Sequence, residues 1–218
     1  CNTPTDGNRM PKRAIQTYST HLGIPRLVHF TKAENLPMIL RHGLYPLSRL
    51  NEIGAQPVVN DQLRLDGHPD SSSISIAFPN CQMFYRYRQE NVTTEWIVMS
   101  LAPEVLWNKN VGFCKHNAAD GRISTIPQAT LQEPQSFYDM YNEIPNLQTR
   151  AEQRLRAYDP TDVQAEVLVF DIIEPRYIIA VDFNSLATRN TYMGQLGTIP
   201  GRLCGTNTGC FGTRSFNR

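Results

Sequence analysis

The amino-acid sequence predicts an α+β fold in a single domain, on three observations. The 218 residues are 40% hydrophobic and 19% charged, enough to bury one substantial core. One helix-period segment comes early, and most later apolar runs are dense in β-branched and aromatic residues. Helices and strands do not alternate as in βαβ units. No Gly-x-Gly-x-x-Gly or P-loop follows a strand, so a Rossmann or P-loop nucleotide site is not supported.

The early unit is LVHFTKAENLPMILRHGL, residues 27–44. Leu27-Val28-His29-Phe30 reads as a strand that turns at once into a helix. Leu36, Ile39 and Leu40 recur at helical spacing and form a buried face. Thr31 and Glu34 have capping-box spacing. Pro37 fits only a first turn, so the regular helix is expected from residues 34–35, and Gly43 suits its C′ position. His29 and Thr31 then lie where a strand meets a helix, a place where backbone groups can face a ligand. The alternative is an ordinary strand–turn–helix with a core histidine.

Further strands are expected at residues 73–78 (SISIAF), 96–101 (WIVMSL), 165–170 (AEVLVF) and 177–183 (YIIAVDF), with a short one at 112–114. Residues 103–107 (PEVLW) resemble one helical turn, and FYRYRQE at 84–90 is either helix or loop. Between residues 121 and 160 no strand is legible. Leu147, Ala151, Leu155 and Tyr158 predict one helix there, with Arg150, Arg154 and Arg156 on its other faces. So long an insertion in a compact domain points to binding. The Gly/Thr-rich end, GTIPGRLCGTNTGCFGTR, reads as loop.

No apolar run reaches the roughly 18 residues of a membrane span. The opening CNTPTDGNRMPKR lacks an initiator Met and any apolar signal region. Net charge is only +1, yet Arg9, Lys12, Arg13 and Arg26 face one acid near the start, and Arg189, Arg202, Arg214 and Arg218 face none at the end. These are either a polyanion-binding face or two solvated tails. Five cysteines, an odd number without a C-x-x-C pair, argue against a disulfide scaffold or structural zinc. A reduced, cytoplasmic protein fits better than a Cys204–Cys210 bridge. His21, His29, His42, His68 and His116 show no metal-ligand spacing, so no metal is expected.

Glu166 is the unusual strand residue. Alternation puts Gln164, Glu166 and Leu168 on one face and Ala165, Val167 and Val169 on the other. A carboxylate there either lies at the solvent edge, paired with water or an arginine, or marks a site. In a site it would face a cation or an electron-poor sugar carbon, with Gln164 one pleat away.

Three segments together resemble the DarT toxins, which are DNA ADP-ribosyltransferases. They are His29-Phe30-Thr31 with Asn35-Leu36-Pro37-x-Ile39-Leu40-x-x-Gly43-Leu44, then Asn117-Ala118-Ala119 after Phe113, then Ala165-Glu166-Val167-Leu168-Val169 with Pro175 and Tyr177-Ile178. The resemblance covers roughly residues 26–183 and implies a split β-sandwich of two antiparallel sheets with an early helix and a helical insertion. Residues 1–25 are then an N-terminal extension, 26–183 the ADP-ribosyltransferase domain, 121–160 a substrate-binding insertion, and 184–218 a basic Gly/Thr-rich segment on or beside it.

The resemblance also implies roles. His29, Phe30 and Thr31 would bind NAD⁺ at its nicotinamide end, with Met83, Tyr85 and Gln164 in the same pocket. Glu166 would be the catalytic glutamate, stabilising positive charge as the glycosidic bond breaks, and Gln164 would complete a Gln-x-Glu pair. An arginine that activates the base would be Arg64, or else Arg49. On the residues themselves Arg64 is a surface residue, and arginine at its ordinary pKa is a poor base. Arg86, Arg88, Arg150, Arg154 and Arg156 are candidate DNA-phosphate contacts, and Phe84, Tyr85 and Tyr87 could stack on a base.

Where thymidine-modifying relatives carry a Tyr-Phe-Asn-Pro-Arg-like stretch, this chain reads AFPNCQMFY at residues 77–85. That leaves thymidine or guanosine as the target. Single-stranded DNA, an antitoxin ADP-ribosyl hydrolase of macrodomain type and a monomeric enzyme are the implied partners and state. The rivals are a transferase acting on RNA or protein, and a catalytically silent nucleic-acid-binding module.

Overall fold

The structure is a computed structural model of the chain, and it describes residues 9–54 and 68–217. Its strands are β1 (Leu27–Lys32), β2 (Ser72–Ile76), β3 (Trp96–Leu101), β4 (Val111–Cys114), β5 (Glu166–Val169), β6 (Ile178–Phe183) and β7 (Gly201–Leu203). They form one sheet in the order β4–β5–β2–β1–β3–β6–β7. Every neighbouring pair is antiparallel except β6–β7, which is parallel. The two separate antiparallel sheets expected from the sequence are therefore replaced by one mixed sheet.

The reason is a narrow seam. β1 pairs with β3 along its whole length but with β2 only at Leu27↔Ile76 and Val28↔Ser75. Past Val28 the strands part, and β1 follows β3, with the Ala33 N–H donating to the Glu95 carbonyl at 2.8 Å. The sheet is continuous at the seam and split beyond it.

One face carries the main core. Leu27, Ile74, Ile76, Ile97, Met99, Val167, Val169, Val181 and Phe183 are buried together there. Helices α1 (Arg9–Leu22), α2 (Leu36–His42), α4 (Val105–Asn108) and α7 (Pro134–Asp139) supply Ile15, Leu36, Val105 and Phe137 to that core. The other face has two smaller clusters. Val28, Phe84, Tyr87, Trp96, Val98 and Phe211 make one, beneath α3 (Cys81–Glu90). Leu168, Cys114, Ala118, Ile123 and Leu131 make the other, beneath α5 (Gly121–Ser124) and α6 (Gln128–Leu131).

Residues 84–90, open between helix and loop, lie in α3, whose N-terminus is capped by the Asn80 side chain accepting from the Met83 N–H at 3.1 Å. The Thr31–Glu34 capping box does not form. Thr31 ends up in β1 and its hydroxyl accepts from the Asn35 amide at 3.0 Å, while a 3₁₀ turn, Ala33–Asn35, leads into α2. Pro37 falls in the first turn of α2 as expected.

Three elements were not legible. α1 lies in the stretch read as an extension. Its Pro11 sits in the first turn, and Tyr18 makes edge contacts to Phe137, Tyr138 and Tyr141 at 5.2, 4.6 and 5.7 Å between ring centres. β7 lies in the segment read as loop, and α8 (Leu186–Tyr192) just ahead of it, where no element was expected.

The helix expected through Leu147, Ala151, Leu155 and Tyr158 is absent, and the insertion's helices are α5 to α7 upstream. Asn146 and Arg154 adopt left-handed backbone at φ 68° and 54°, which ends any α run. Leu147 and Ala151 are exposed while Tyr158 packs against the main core, so the four residues do not form one buried helical face. The loop is braced by arginines instead. Arg150 donates to the Asp159 and Arg156 carbonyls and the Thr161 hydroxyl, at 2.7–3.0 Å. Buried Arg214 donates to the Pro160 and Thr161 carbonyls and Gln153 Oε1, at 2.7–3.1 Å.

Candidate active site

The split between β1 and β2 is the natural cleft of this sheet, and His29 stands at its start. Its Nδ1 lies 2.8 Å from the Ser73 carbonyl, so the imidazole bridges strands that no longer pair. A carbonyl only accepts, so Nδ1 carries the proton. Thr31, two residues on, is buried and held by Asn35.

Glu166 opens β5. It pairs with Cys114 on one side, and extending the Ile74↔Val167 register by one residue sets it beside Ser75 on the other. The alternation read from the sequence holds: Val167 and Val169 enter the main core and Leu168 the opposite cluster. Glu166 is neither at a solvent edge nor exposed; only 5% of its surface is accessible.

After β4 the chain folds over the sheet, and Asn117 Nδ2 donates to Oε1 at 3.0 Å while the Ala118 N–H donates to Oε2 at 3.2 Å. Both oxygens are thus oriented by neutral donors. That suits a group meant to meet a developing positive charge, because such preorganisation costs no rearrangement during reaction.

A second buried pair fixes this scaffold. His116 Nδ1 lies 2.7 Å from Asp162 Oδ2, joining the exit of β4 to the approach of β5, and Asp162 Oδ1 accepts from the Gln164 N–H at 2.8 Å. Asp120 caps α5 and is paired with Arg122, whose guanidinium holds the carboxyl well below the usual range. Asn117 entered the sequence reading only as part of a motif. His116 and Asp162 were missed, since residues 46 apart in sequence meet only through the β4–β5 pairing.

The remaining candidates scatter. Gln164 is half-buried just ahead of β5. Phe30 stacks on Phe84 at 4.5 Å in the smaller core, and half-buried Met83 packs beside it. Tyr85 is exposed on α3, as is Arg86, which pairs loosely with Glu90 at 3.8 Å. Arg88 donates to the Thr206 and Phe211 carbonyls and lies 4.9 Å over the Phe84 ring. Arg154 and Arg156 are exposed. Arg49 makes a bidentate pair with Glu52 at 2.7 and 3.0 Å. Arg64 lies outside the described residues.

Cys210 is pushed up to about 12 by burial, and burial also raises Cys204, so neither supplies a thiolate at neutral pH. Among the described residues no group of His, Cys, Asp or Glu could hold a metal, and no helix is long and apolar enough to cross a membrane.

The fold matches DarT of Thermus sp. 2.9 in complex with ADP-ribosylated single-stranded DNA, at 14% identity and a TM-score of 0.52, covering 84% of this chain and 94% of that one. The same protein in complex with carba-NAD⁺ matches at 13% and 0.50, covering 83% and 95%. DarTG of Thermosipho africanus in complex with ADP-ribose matches at 13% and 0.52 over 82% of this chain, which spans about half, 49%, of that longer one. A search of curated proteins finds no significant match. The family model for DarT, described as ssDNA thymidine ADP-ribosyltransferase, matches residues 28–203, from β1 to β7 and thus through both His29 and Glu166. By that match over most of its length, the chain belongs to the DarT family of single-stranded DNA ADP-ribosyltransferases.

Proposed function

We propose that this protein transfers ADP-ribose from NAD⁺ to a base of single-stranded DNA and releases nicotinamide. The observation that carries the reading is the pairing of His29, which bridges the split, with a buried Glu166 whose two oxygens are held from behind. His29 and Thr31 are suited to the nicotinamide end of NAD⁺, with half-buried Gln164 two residues ahead of Glu166. When the glycosidic C–N bond breaks, its electron pair leaves with nicotinamide. Glu166 stabilises the positive charge on the sugar carbon, and a base nitrogen attacks that carbon and then gives up its proton. Arg64 is our candidate for stabilising the deprotonated base. A single-stranded substrate fits because pairing would hide the attacking nitrogen.

Arg86, Arg154 and Arg156, exposed, are suited to phosphate. Arg88 and Arg150, bound to main-chain carbonyls, act as braces that shape the surface. Modification of DNA is toxic, so the enzyme is paired with an antitoxin hydrolase that removes the mark, and it works as a monomer in the cytoplasm.

Thymine is the acceptor that the family description favours. The altered AFPNCQMFY stretch, which supplies Phe78 and α3, makes guanine the second reading. Four single-stranded oligonucleotides, each lacking one base, distinguish them. After incubation with protein and NAD⁺, mass spectrometry should show one added ADP-ribose on every oligonucleotide except the one without the target base. No gain on any of them, with NAD⁺ intact, would transfer the reading to an RNA or protein acceptor or to a silent binding module.

His29→Ala should raise the KM for NAD⁺ about tenfold, the effect of losing roughly one good hydrogen bond to the substrate. Initial rates at varied NAD⁺ check this, and unchanged NAD⁺ kinetics would remove His29 from the pocket.

A further inference from the structure

One step along the sheet from Glu166 lies a cavity of about 250 Å³, lined by Arg26, Phe78, Arg156, Tyr158, Asp159 and Arg214 among others. Its position follows from strand register. The Ala77 N–H donates to the Arg26 carbonyl at 3.0 Å, extending the Leu27↔Ile76 and Val28↔Ser75 ladder. Arg26 and Ala77 are therefore two residues, about 7 Å, from the Val28–Ser75 row that extends to Glu166. His29 and the split lie on the opposite side of that row. The cavity and the NAD⁺ side thus flank the catalytic glutamate from opposite directions.

The lining has the chemistry of a nucleotide site. Arg26 is fixed by the Ala77 carbonyl, the Ser100 hydroxyl and Cys210 Sγ, 3.5 Å from Asp182. Arg214 is fixed by the insertion. These two are rigid positive walls, with buried Asp159 the one acid among the lining residues. Arg156 is exposed, and its guanidinium makes one hydrogen bond among the described residues, from Nη1 to the Tyr158 hydroxyl at 2.6 Å. Its remaining donors suit a phosphate. Phe78 and Tyr158, both half-buried, border it with aromatic rings, that of Tyr158 packed on the main core with the Arg156 guanidinium 5.8 Å over its centre, a cation that a base can join in the stack. The volume falls below the roughly 300–1,000 Å³ of drug-sized pockets, which suits one nucleotide rather than a dinucleotide such as NAD⁺.

We propose that this cavity holds the nucleotide next to the modified one, with its base against Phe78 and Tyr158 and its phosphate on Arg156. The inference rests on the DNA-transferase reading above. It gives the enzyme a sequence-tolerant grip on its strand that is separate from recognition of the target base.

The test uses oligonucleotides with a single modifiable base and an abasic site placed immediately 5′ or 3′ of it. For the wild type, one of the two abasic positions should lower kcat/KM about tenfold, within the range for loss of one base–aromatic stack. Tyr158→Ala should lose about tenfold on the intact strand and nothing further on that abasic one. Tyr158→Phe keeps the ring but removes the hydroxyl that holds Arg156, so it should keep the abasic penalty whatever its rate on the intact strand, and matching melting curves for the two variants guard against a folding defect. Indifference to both abasic sites, or a full abasic penalty retained in Tyr158→Ala, would overturn the proposal. So would a raised KM for NAD⁺ in Tyr158→Ala with the penalty intact, which would hand the cavity to NAD⁺.

If the wild type modifies no oligonucleotide, the transferase reading fails, and fluorescence anisotropy of strand binding decides the subsite alone. Abasic discrimination that disappears in Tyr158→Ala would uphold it, and absence of binding would remove it as well.

Discussion

Glu166→Gln should reduce ADP-ribose transfer by about 10²–10³-fold or more while the protein stays folded. The magnitude is that of removing one preorganised electrostatic partner of a transition state. The side chain keeps its shape, so the loss falls on the rate of the chemical step rather than on substrate affinity. Folding pays a smaller cost, because Asn117 Nδ2 and the Ala118 N–H both donate to this side chain. A carboxamide offers one oxygen, and its NH₂ must face the other donor. That leaves a buried donor unsatisfied at about 1–3 kcal/mol, or a fall in Tm of several degrees for a chain of this size. Single-turnover transfer and a circular-dichroism melt measure the two effects separately. Full activity in the variant would show that Glu166 is not at the reacting centre.

Gly43→Ala should be among the most destabilising single-methyl changes in the protein. Gly43 follows α2 at φ 98° and ψ 176°, a backbone region that essentially only glycine adopts. A Cβ there would lie 2.5 Å from the Ile173 carbonyl oxygen and 3.2 Å from Glu174 Cα, both main-chain atoms that cannot swing aside. That carbonyl also accepts from the Leu44 N–H at 2.9 Å, and the Ile173 N–H donates back to the Leu44 carbonyl at 3.0 Å. The methyl group therefore strains the backbone and pushes apart the bridge that ties the early unit to the approach of β6.

Strain and clash together should cost about 3 kcal/mol or more, a Tm fall on the order of 10 °C. Gly54→Ala is the control. Gly54 also has positive φ, at 63°, but nothing among the described residues lies within 4 Å of its added Cβ, so about 1–2 kcal/mol of left-handed strain is expected. Equal melting temperatures for the two variants would refute the close-approach argument.

Much of the fold was written locally. Strands β1 to β6 coincide with runs whose β-branched and aromatic density needs no tertiary information, and β3 matches residue for residue. The Pro37 and Gly43 signals placed α2, because they act through backbone geometry at single positions. The failures share a cause. α1 is weakly apolar in sequence and is held by the aromatic contacts of Tyr18 with residues more than a hundred positions away. The helix expected through Leu147 had periodicity, but Leu147 and Ala151 stay exposed and arginine–carbonyl bonds set the loop instead.

The sequence by itself determined the α+β class, the strand–helix corner bearing His29, and a carboxylate out of place in an apolar strand, since these depend on residue type and short-range spacing. Only the tertiary structure decided that Glu166 is buried and held by Asn117 and Ala118, and that His116 meets Asp162. It also decided that the strands share one sheet split past Val28 rather than two. These depend on which strands become neighbours and where they part, and that is set by the packing of the whole core, not by any segment alone.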